Sequence, residues 1–421
     1  MIDARKKQYE TIEPAKVLMY SPDSIGLGHM RRNSAIAHGL VKELPGVSNL
    51  LLVGSSAGVY FDLPPGTDCV KLPSILKTGH NQWAPKSLNV SNEVAWNIRS
   101  RIIRETALAL EPDVFLVDHV PSGIWDELIP TLKALKAKPK RSHLVLGLRD
   151  ILGAPEEVRM QWEASGVYEL IDEYYDNILF YGTSDVFPTA DIYGLSERFA
   201  DRIRYCGFVH LASCPVENRN DKAVNRLVSN EVKPKVLLTA GGGHDAFPMM
   251  QFALKAILTQ GAHLQIELVV ITGPLMPALQ RSEIMRLANQ LSATCIDSTK
   301  ALQTYLDNAN VLITMGGYNT VMEAVAAEIP TIIIPRTGPS AEQRCRASLF
   351  AEMGLTQSVD LEFDTPQKLI SSLTWALKTP RRATSGLRFD GVANAAKILA
   401  DLVRSKRVQE NTDTQILEAV A

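Results

Sequence analysis

The chain has few cysteines and no pattern among them. Five occur in 421 residues, Cys69, Cys206, Cys214, Cys295 and Cys345, and no two form a CxxC pair. An odd, unpatterned set excludes a disulfide framework and a structural zinc site, and it suits a reducing compartment. There is no excess of either charge: 44 basic residues stand against 46 acidic ones, for a net charge of -2. A dedicated nucleic-acid binder usually carries a strong basic surplus, so no nucleic-acid partner is expected. Long hydrophobic runs are also missing. None approaches the roughly 20 residues that a membrane span needs. The amino terminus, MIDARKKQYETIEPAK, lacks the apolar stretch of a signal peptide. The expectation is a cytoplasmic protein, with peripheral membrane contact left open.

What is present is a repeated pattern. At 421 residues with 46% hydrophobic content, the chain can fill two cores. A short apolar run at 17–20 leads into a glycine-rich turn and a helical stretch over 30–43. Further buried strands are expected at 49–54, 69–72, 114–118, 144–148, 177–181 and 203–208. His119 stands at the end of one, and Arg149 and Asp150 at the end of another. Residues 75–92 read as a surface loop and 92–110 as a helix. Strands alternating with helices imply a parallel, doubly wound sheet. Around 211–233 the chain turns polar and ends in Pro234, after which the pattern restarts at 235–240. Later strands are expected at 265–272, 293–296, 311–314 and 331–335, with a final helix over 391–406 and a polar, fraying tail. The division is therefore a Rossmann-like domain at 1–215, a linker at 216–233, a second Rossmann-like domain at 234–385, and a C-terminal segment at 386–421.

Three glycine-rich turns join strands to helices, and in open α/β sheets ligands bind outside the carboxyl ends of the strands. The first holds Gly26, Gly28, His29, Arg31 and Arg32. Its glycines allow close backbone approach, and His29 at the helix start can accept a proton near neutral pH, unless the turn merely packs and the imidazole is solvated. The second is Gly241-Gly242-Gly243-His244, whose backbone N–H groups suit an anion or form a plain turn. It has neither the Lys-Ser/Thr of a nucleoside-triphosphate loop nor a close GxGxxG. The third runs from Gly316 and Gly317 through Asn319 and Thr320 to Glu323. Its helix start favours a pyrophosphate, and Glu323 is either a ribose acceptor or a capping-box partner. Beyond it, Glu342 and Gln343 either face sugar hydroxyls or, with Ser340, cap the next helix.

Taken in order, these segments resemble the GT-B nucleotide-sugar enzymes, and most of all glycosyltransferase family 28. The phrases SIGLGHMRR and MGGYNTVMEA also resemble a bacterial group of predicted glycosyltransferases, and the GxGH…R opening resembles a nucleotide-sugar hydrolase of pseudaminic acid biosynthesis. The resemblance implies two Rossmann-like domains with a ligand crevice between them. It implies His29 as the base and Gly26, Gly28 and Arg32 on the acceptor side. On the donor side it implies Gly241, Gly242, Gly243, His244, Gly316, Gly317, Asn319, Thr320, Glu323, Glu342 and Gln343. The family's first turn usually has a further glycine before the histidine and a proline downstream. Arg31 and Arg32 follow here instead, which leads away from a lipid II acceptor.

The implied chemistry is transfer with inversion from a nucleotide-sugar, UDP-linked by resemblance, to the hydroxyl of a small-molecule, glycan or lipid-linked acceptor. No metal or other cofactor is expected, and no DxD occurs. A nucleotide-sugar hydrolase and a non-catalytic nucleotide-sugar-binding regulator are the alternatives. A donor that binds only the folded state stabilises it by about 2.7 kcal/mol at a hundred times its dissociation constant. In a thermal-shift panel, UDP-sugars should therefore raise the melting temperature more than GDP-, TDP- or CMP-sugars. An equal response to all four would remove the UDP expectation.

Overall fold

The computed structural model describes residues 13–22, 27–55, 63–79, 82–139, 141–210, 233–299, 302–338, 341–381 and 386–420. The expected linker at 216–233 lies outside these residues except for Lys233, as do Gly26 and Ser340.

The chain forms β1 (Lys16–Ser21), β2 (Ser48–Val53), β3 (Thr67–Lys71), β4 (Ile75–Gly79), β5 (Gln82–Pro85), β6 (Val114–Asp118), β7 (His143–Arg149), β8 (Asn177–Tyr181) and β9 (Ile203–Tyr205). Seven of these make one parallel sheet in the order β3-β2-β1-β6-β7-β8-β9. The central strands are buried on both faces, which is why they read as unbroken apolar runs: Val17, Leu18, Met19 and Tyr20 are all fully covered. The second half gives β10 (Lys235–Thr239), β11 (Glu267–Ile271), β12 (Thr294–Ile296), β13 (Val311–Thr314), β14 (Thr331–Ile333) and β15 (Thr356–Ser358). They form a second parallel sheet in the order β12-β11-β10-β13-β14-β15. Each sheet reverses its strand order once, beside β1 and β6 in the first and beside β10 and β13 in the second. Such reversals open a crevice at the carboxyl ends of the strands.

Two expectations need correction. Residues 75–92 are not all loop, since β4 and β5 pair as an antiparallel hairpin. The tail does not fray after Ser405, because the last helix runs Gly391–Val420. That helix returns to the first domain. Ala395, Ala396, Leu399 and Val403 are buried in the same core as Val17, Met30, Ile36 and Leu40. A β-carbon at Gly39, in the helix Gly28–Glu43, would lie 2.9 Å from the Ala396 Cβ and 3.0 Å from Val392. The two helices therefore touch at a glycine. Among the described residues, no helix is long and apolar enough to cross a membrane.

Overpacking a well-filled contact costs about 1–3 kcal/mol. Gly39→Val should lower the melting temperature measurably, whereas Gly46→Val at an open surface turn tests ordinary backbone strain without touching this contact. An unchanged melting temperature in Gly39→Val would mean that the helices separate easily.

Candidate functional site

The three glycine turns converge on one helix start. The helix Tyr318–Ala326 begins after β13, with Gly317 as its N-terminal flanking residue and no side-chain cap. The Asn319 amide donates to the Gly28 carbonyl at 3.0 Å, across the two domains. On the other side, a β-carbon at Gly241 would lie 3.6 Å from Thr320 Oγ1, and one at Gly317 would meet nothing within 4 Å. The sheet reversals of both domains thus face each other here, with open space at the helix's free N–H groups. The Gly241–Gly243 turn precedes its helix, Phe247–Gln260, by several residues, so its N–H groups belong to the turn and not to a helix terminus. Gly243 is obligatory there: its φ is +85°, and a β-carbon would lie 2.1 Å from the Thr272 carbonyl oxygen.

His29 is the second residue of the helix Gly28–Glu43. Its Nδ1 lies 2.8 Å from Asp118 Oδ2, at the end of β6. Arg32, one helical turn on, donates to the same oxygen at 2.6 Å and from Nε to Oδ1 at 3.3 Å. Asp118 is completely buried. Burial by itself would push its carboxyl upward, but the charges and hydrogen bonds of Arg32 and His29 overcome this and hold it well below the usual carboxylate range. Arg32 Nη2 also lies 3.0 Å from His29 Nδ1, so the carboxylate and the guanidinium together hold the imidazole by that nitrogen.

Beside this pair lies a second group. The Arg149 guanidinium, at the end of β7, donates to Glu342 Oε1 at 2.7 Å and to His119 Nε2 at 2.9 Å. The His119 ring is 5.3 Å from that of His29. Burial first, and then the Arg149 charge, hold His119 well below an ordinary imidazole, so it is neutral at pH 7. Arg346 binds Asp150 at 3.1 and 2.6 Å and Glu342 at 3.0 Å. The Tyr318 ring lies 5.4 Å from the Arg32 guanidinium carbon and 5.6 Å from that of Arg346.

The positions expected from sequence fall into distinct settings. His29, Gly28, Asn319, Thr320, Gly241 and Gly317 surround the crevice. Arg32 is buried and committed to Asp118, inward from an acceptor. Glu323 caps nothing; it is buried and paired with Arg31 of the first domain. Burial raises its pKa against the opposing Arg31 charge. Glu342 is 6% exposed and held between two guanidiniums. The Gln343 Oε1 accepts the Arg336 N–H at 3.1 Å. Gly316 turns the chain behind β13, Gly242 receives the Leu275 N–H at 2.9 Å, and His244 is exposed. Sequence reasoning did not assign Asp118, His119, Arg149, Asp150 or Arg346 to the site. Their signal was a charged or polar residue closing an apolar strand, or an arginine inside a helix.

Two domains of this topology, facing across their strand ends, define the GT-B fold. A UDP-glucosyltransferase from Polygonum tinctorium superposes with a TM-score of 0.59 at 12% identity, covering 94% of this chain and all of that one. The MurG of Acinetobacter baumannii gives 0.55 at 12% identity, covering 93% of this chain and all of that one. Within this fold, residues 236–399 match the glycosyltransferase family 28 C-terminal domain. A UDP-N-acetylglucosamine--N-acetylmuramyl-(pentapeptide) pyrophosphoryl-undecaprenol N-acetylglucosamine transferase from Corynebacterium efficiens is 32% identical over 98 residues, 23% of this chain. The match spans 27% of that relative's length.

Asp118 and Glu342 both have carboxyls below their ordinary values, Glu342 at about 2 against burial because Arg149 and Arg346 flank it. Each binds its proton at lower pH when folded than when unfolded. The stability they contribute is present above about pH 4, the unfolded carboxylate value, and is lost as pH falls below it. Thermal unfolding between pH 7 and pH 3 should show this loss, with a shallower dependence in Asp118→Asn. That variant should also be less stable at pH 7, by roughly 3–5 kcal/mol, because it strands a buried Arg32.

Proposed function

We propose that the protein is a glycosyltransferase that moves a sugar from a nucleotide-sugar to an acceptor hydroxyl. The observation that carries this reading is the His29–Asp118 pair, set at the reversal of the first sheet and opposite the uncapped helix start at Gly317 in the second. His29 Nε2 takes the proton of the acceptor hydroxyl. The oxygen attacks the anomeric carbon from the face opposite the nucleoside diphosphate, so the product is inverted. Charge that develops on the leaving diphosphate meets the N–H groups at Tyr318–Thr320 and the Gly241–Gly243 turn, which are fixed before the reaction begins. This arrangement needs no metal ion. UDP is the proposed nucleotide, as in the Corynebacterium efficiens UDP-N-acetylglucosamine transferase and the Polygonum tinctorium UDP-glucosyltransferase. A hydroxyl on a lipid-linked acceptor is one candidate, in line with the Corynebacterium efficiens relative.

General-base assistance is typically worth about 10²–10⁴-fold. His29→Ala should lower kcat by that order while UDP affinity, read by calorimetry, stays near the wild-type value. Loss of UDP binding would instead place His29 in the donor site and sink the base assignment. With donor alone, free sugar should appear slowly; rapid release without acceptor would turn the reading from transfer to hydrolysis.

A further inference from the structure

Arg149, His119 and Glu342 have no step in the transfer, yet they join the two domains directly beside His29. Arg149 leaves the end of β7 in the first sheet. One arm of its guanidinium holds Glu342, the first residue of the helix Glu342–Glu352 in the second domain. The other arm holds His119. His119 follows Asp118 directly, and its φ is +73°. Non-glycine residues are uncommon at positive φ, although histidine is among those that tolerate it best, and here its surroundings hold it. Two contacts do so: its N–H donates to the Gly147 carbonyl at 2.8 Å, and its ring nitrogen accepts from Arg149 at 2.9 Å.

We propose that Arg149 and His119 form a positioning relay that seats the His29 base only while the helix Glu342–Glu352 is docked on the first domain. The inference rests on the reading of His29 as the base of a sugar transfer. Asp118 and His119 are adjacent on one peptide, and both face His29: the carboxylate at 2.8 Å and the ring at 5.3 Å between centroids, inclined by 30°. A planar guanidinium fixes the directions of its two partners relative to each other, which a lysine cannot do. Displacing Glu342 therefore shifts Arg149, frees the His119 ring, and loosens the peptide that carries Asp118. Because His119 is neutral, its ring packs against His29 without adding a competing charge.

The relay continues toward the donor. Glu342 adjoins Gln343, which accepts the Arg336 N–H, and the Arg336 side chain reaches Asp245 at 2.6 Å, two residues beyond Gly243. An unbroken set of contacts thus runs from the Gly241–Gly243 turn to His29. With the donor-side loops out of place, the base is not aimed, and water in an open crevice is not activated. The device favours transfer over wasteful hydrolysis.

The test uses the full chain with nucleotide-sugar and acceptor, and compares Arg149→Met, Arg149→Lys and Glu342→Gln. Arg149→Met leaves Glu342 paired with Arg346, and its melting temperature checks that the fold is kept. Misplacing a catalytic group by about 1 Å costs on the order of 100-fold, so kcat should fall by about that factor in Arg149→Met, with UDP affinity unchanged. Arg149→Lys keeps the charge but not the fork, and should recover little. The Arg149→Met/Glu342→Gln double variant should lose no more than either single, because both cut one path. A normal kcat in Arg149→Met, full rescue by lysine, or losses that multiply in the double variant would each overturn the relay. If His29→Ala is inactive while Arg149→Met is normal, the relay alone fails. If His29→Ala keeps full turnover, the base reading fails and takes the relay with it.

Discussion

A buried carboxylate that stays charged organises this molecule. Asp118 has no exposed surface, and an isolated anion in that position would take up a proton. It remains ionised because Arg32 and His29 arrive from the adjacent helix, one turn apart on a single face. The consequences spread in two directions. Toward the crevice, the anion holds the His29 ring by its Nδ1. Toward the second domain, it anchors the Arg32 guanidinium above the Tyr181 and Tyr318 rings. The Tyr318 hydroxyl in turn donates to the Tyr181 carbonyl at 2.9 Å and accepts the Val209 N–H at 2.9 Å. One charge therefore orients a chemical group and fastens a domain interface.

That interface is charged where it is dry. Arg346 is fully buried and is balanced by Asp150 from the opposite domain. Pairs of this kind add little net stability over apolar contacts, but breaking one is costly. They reward one mutual orientation and penalise near misses. A crevice whose two walls must meet at defined atoms gains more from that selectivity than from additional hydrophobic adhesion. Glu323 shows the cost: burial raises its carboxyl pKa, and only Arg31 opposes it.

Much of the fold could be read from the sequence because the signals are local. Val114-Phe115-Leu116-Val117 reads as a buried strand from its apolar run, and the three glycine turns announce themselves by composition. The restart after Pro234 marks the second domain for the same reason. The misses share another cause. β4 and β5 are short and lie in a polar stretch of sequence, so they lack an apolar run to mark them. The last helix continues past residue 405 through Lys406, Arg407, Gln409 and Glu410, good helix formers that carry no apolar stripe. In the site, His29, Asn319 and Thr320 were visible on turns, but their partners were not. Arg149 and Glu342 are separated by 193 positions, and Asp150 and Arg346 by 196. No spacing rule spans such distances. Polarity at the end of an apolar strand marks Asp118, Arg149 and Asp150 as unusual without saying what they meet.

The packing of the Gly391–Val420 helix onto the first domain has a mechanical meaning. The chain crosses from one domain to the other after Val209 and crosses back before Gly391, where the Phe208 N–H meets the Arg388 carbonyl at 2.8 Å and the Gly391 N–H meets the Phe208 carbonyl at 3.2 Å. Outgoing and returning segments are thus stapled side by side. A body tethered by one strand of chain can swivel about it in any direction, whereas two adjacent tethers act like the paired leaves of a door hinge. Twisting about a single strand of chain is thereby opposed where the two segments meet.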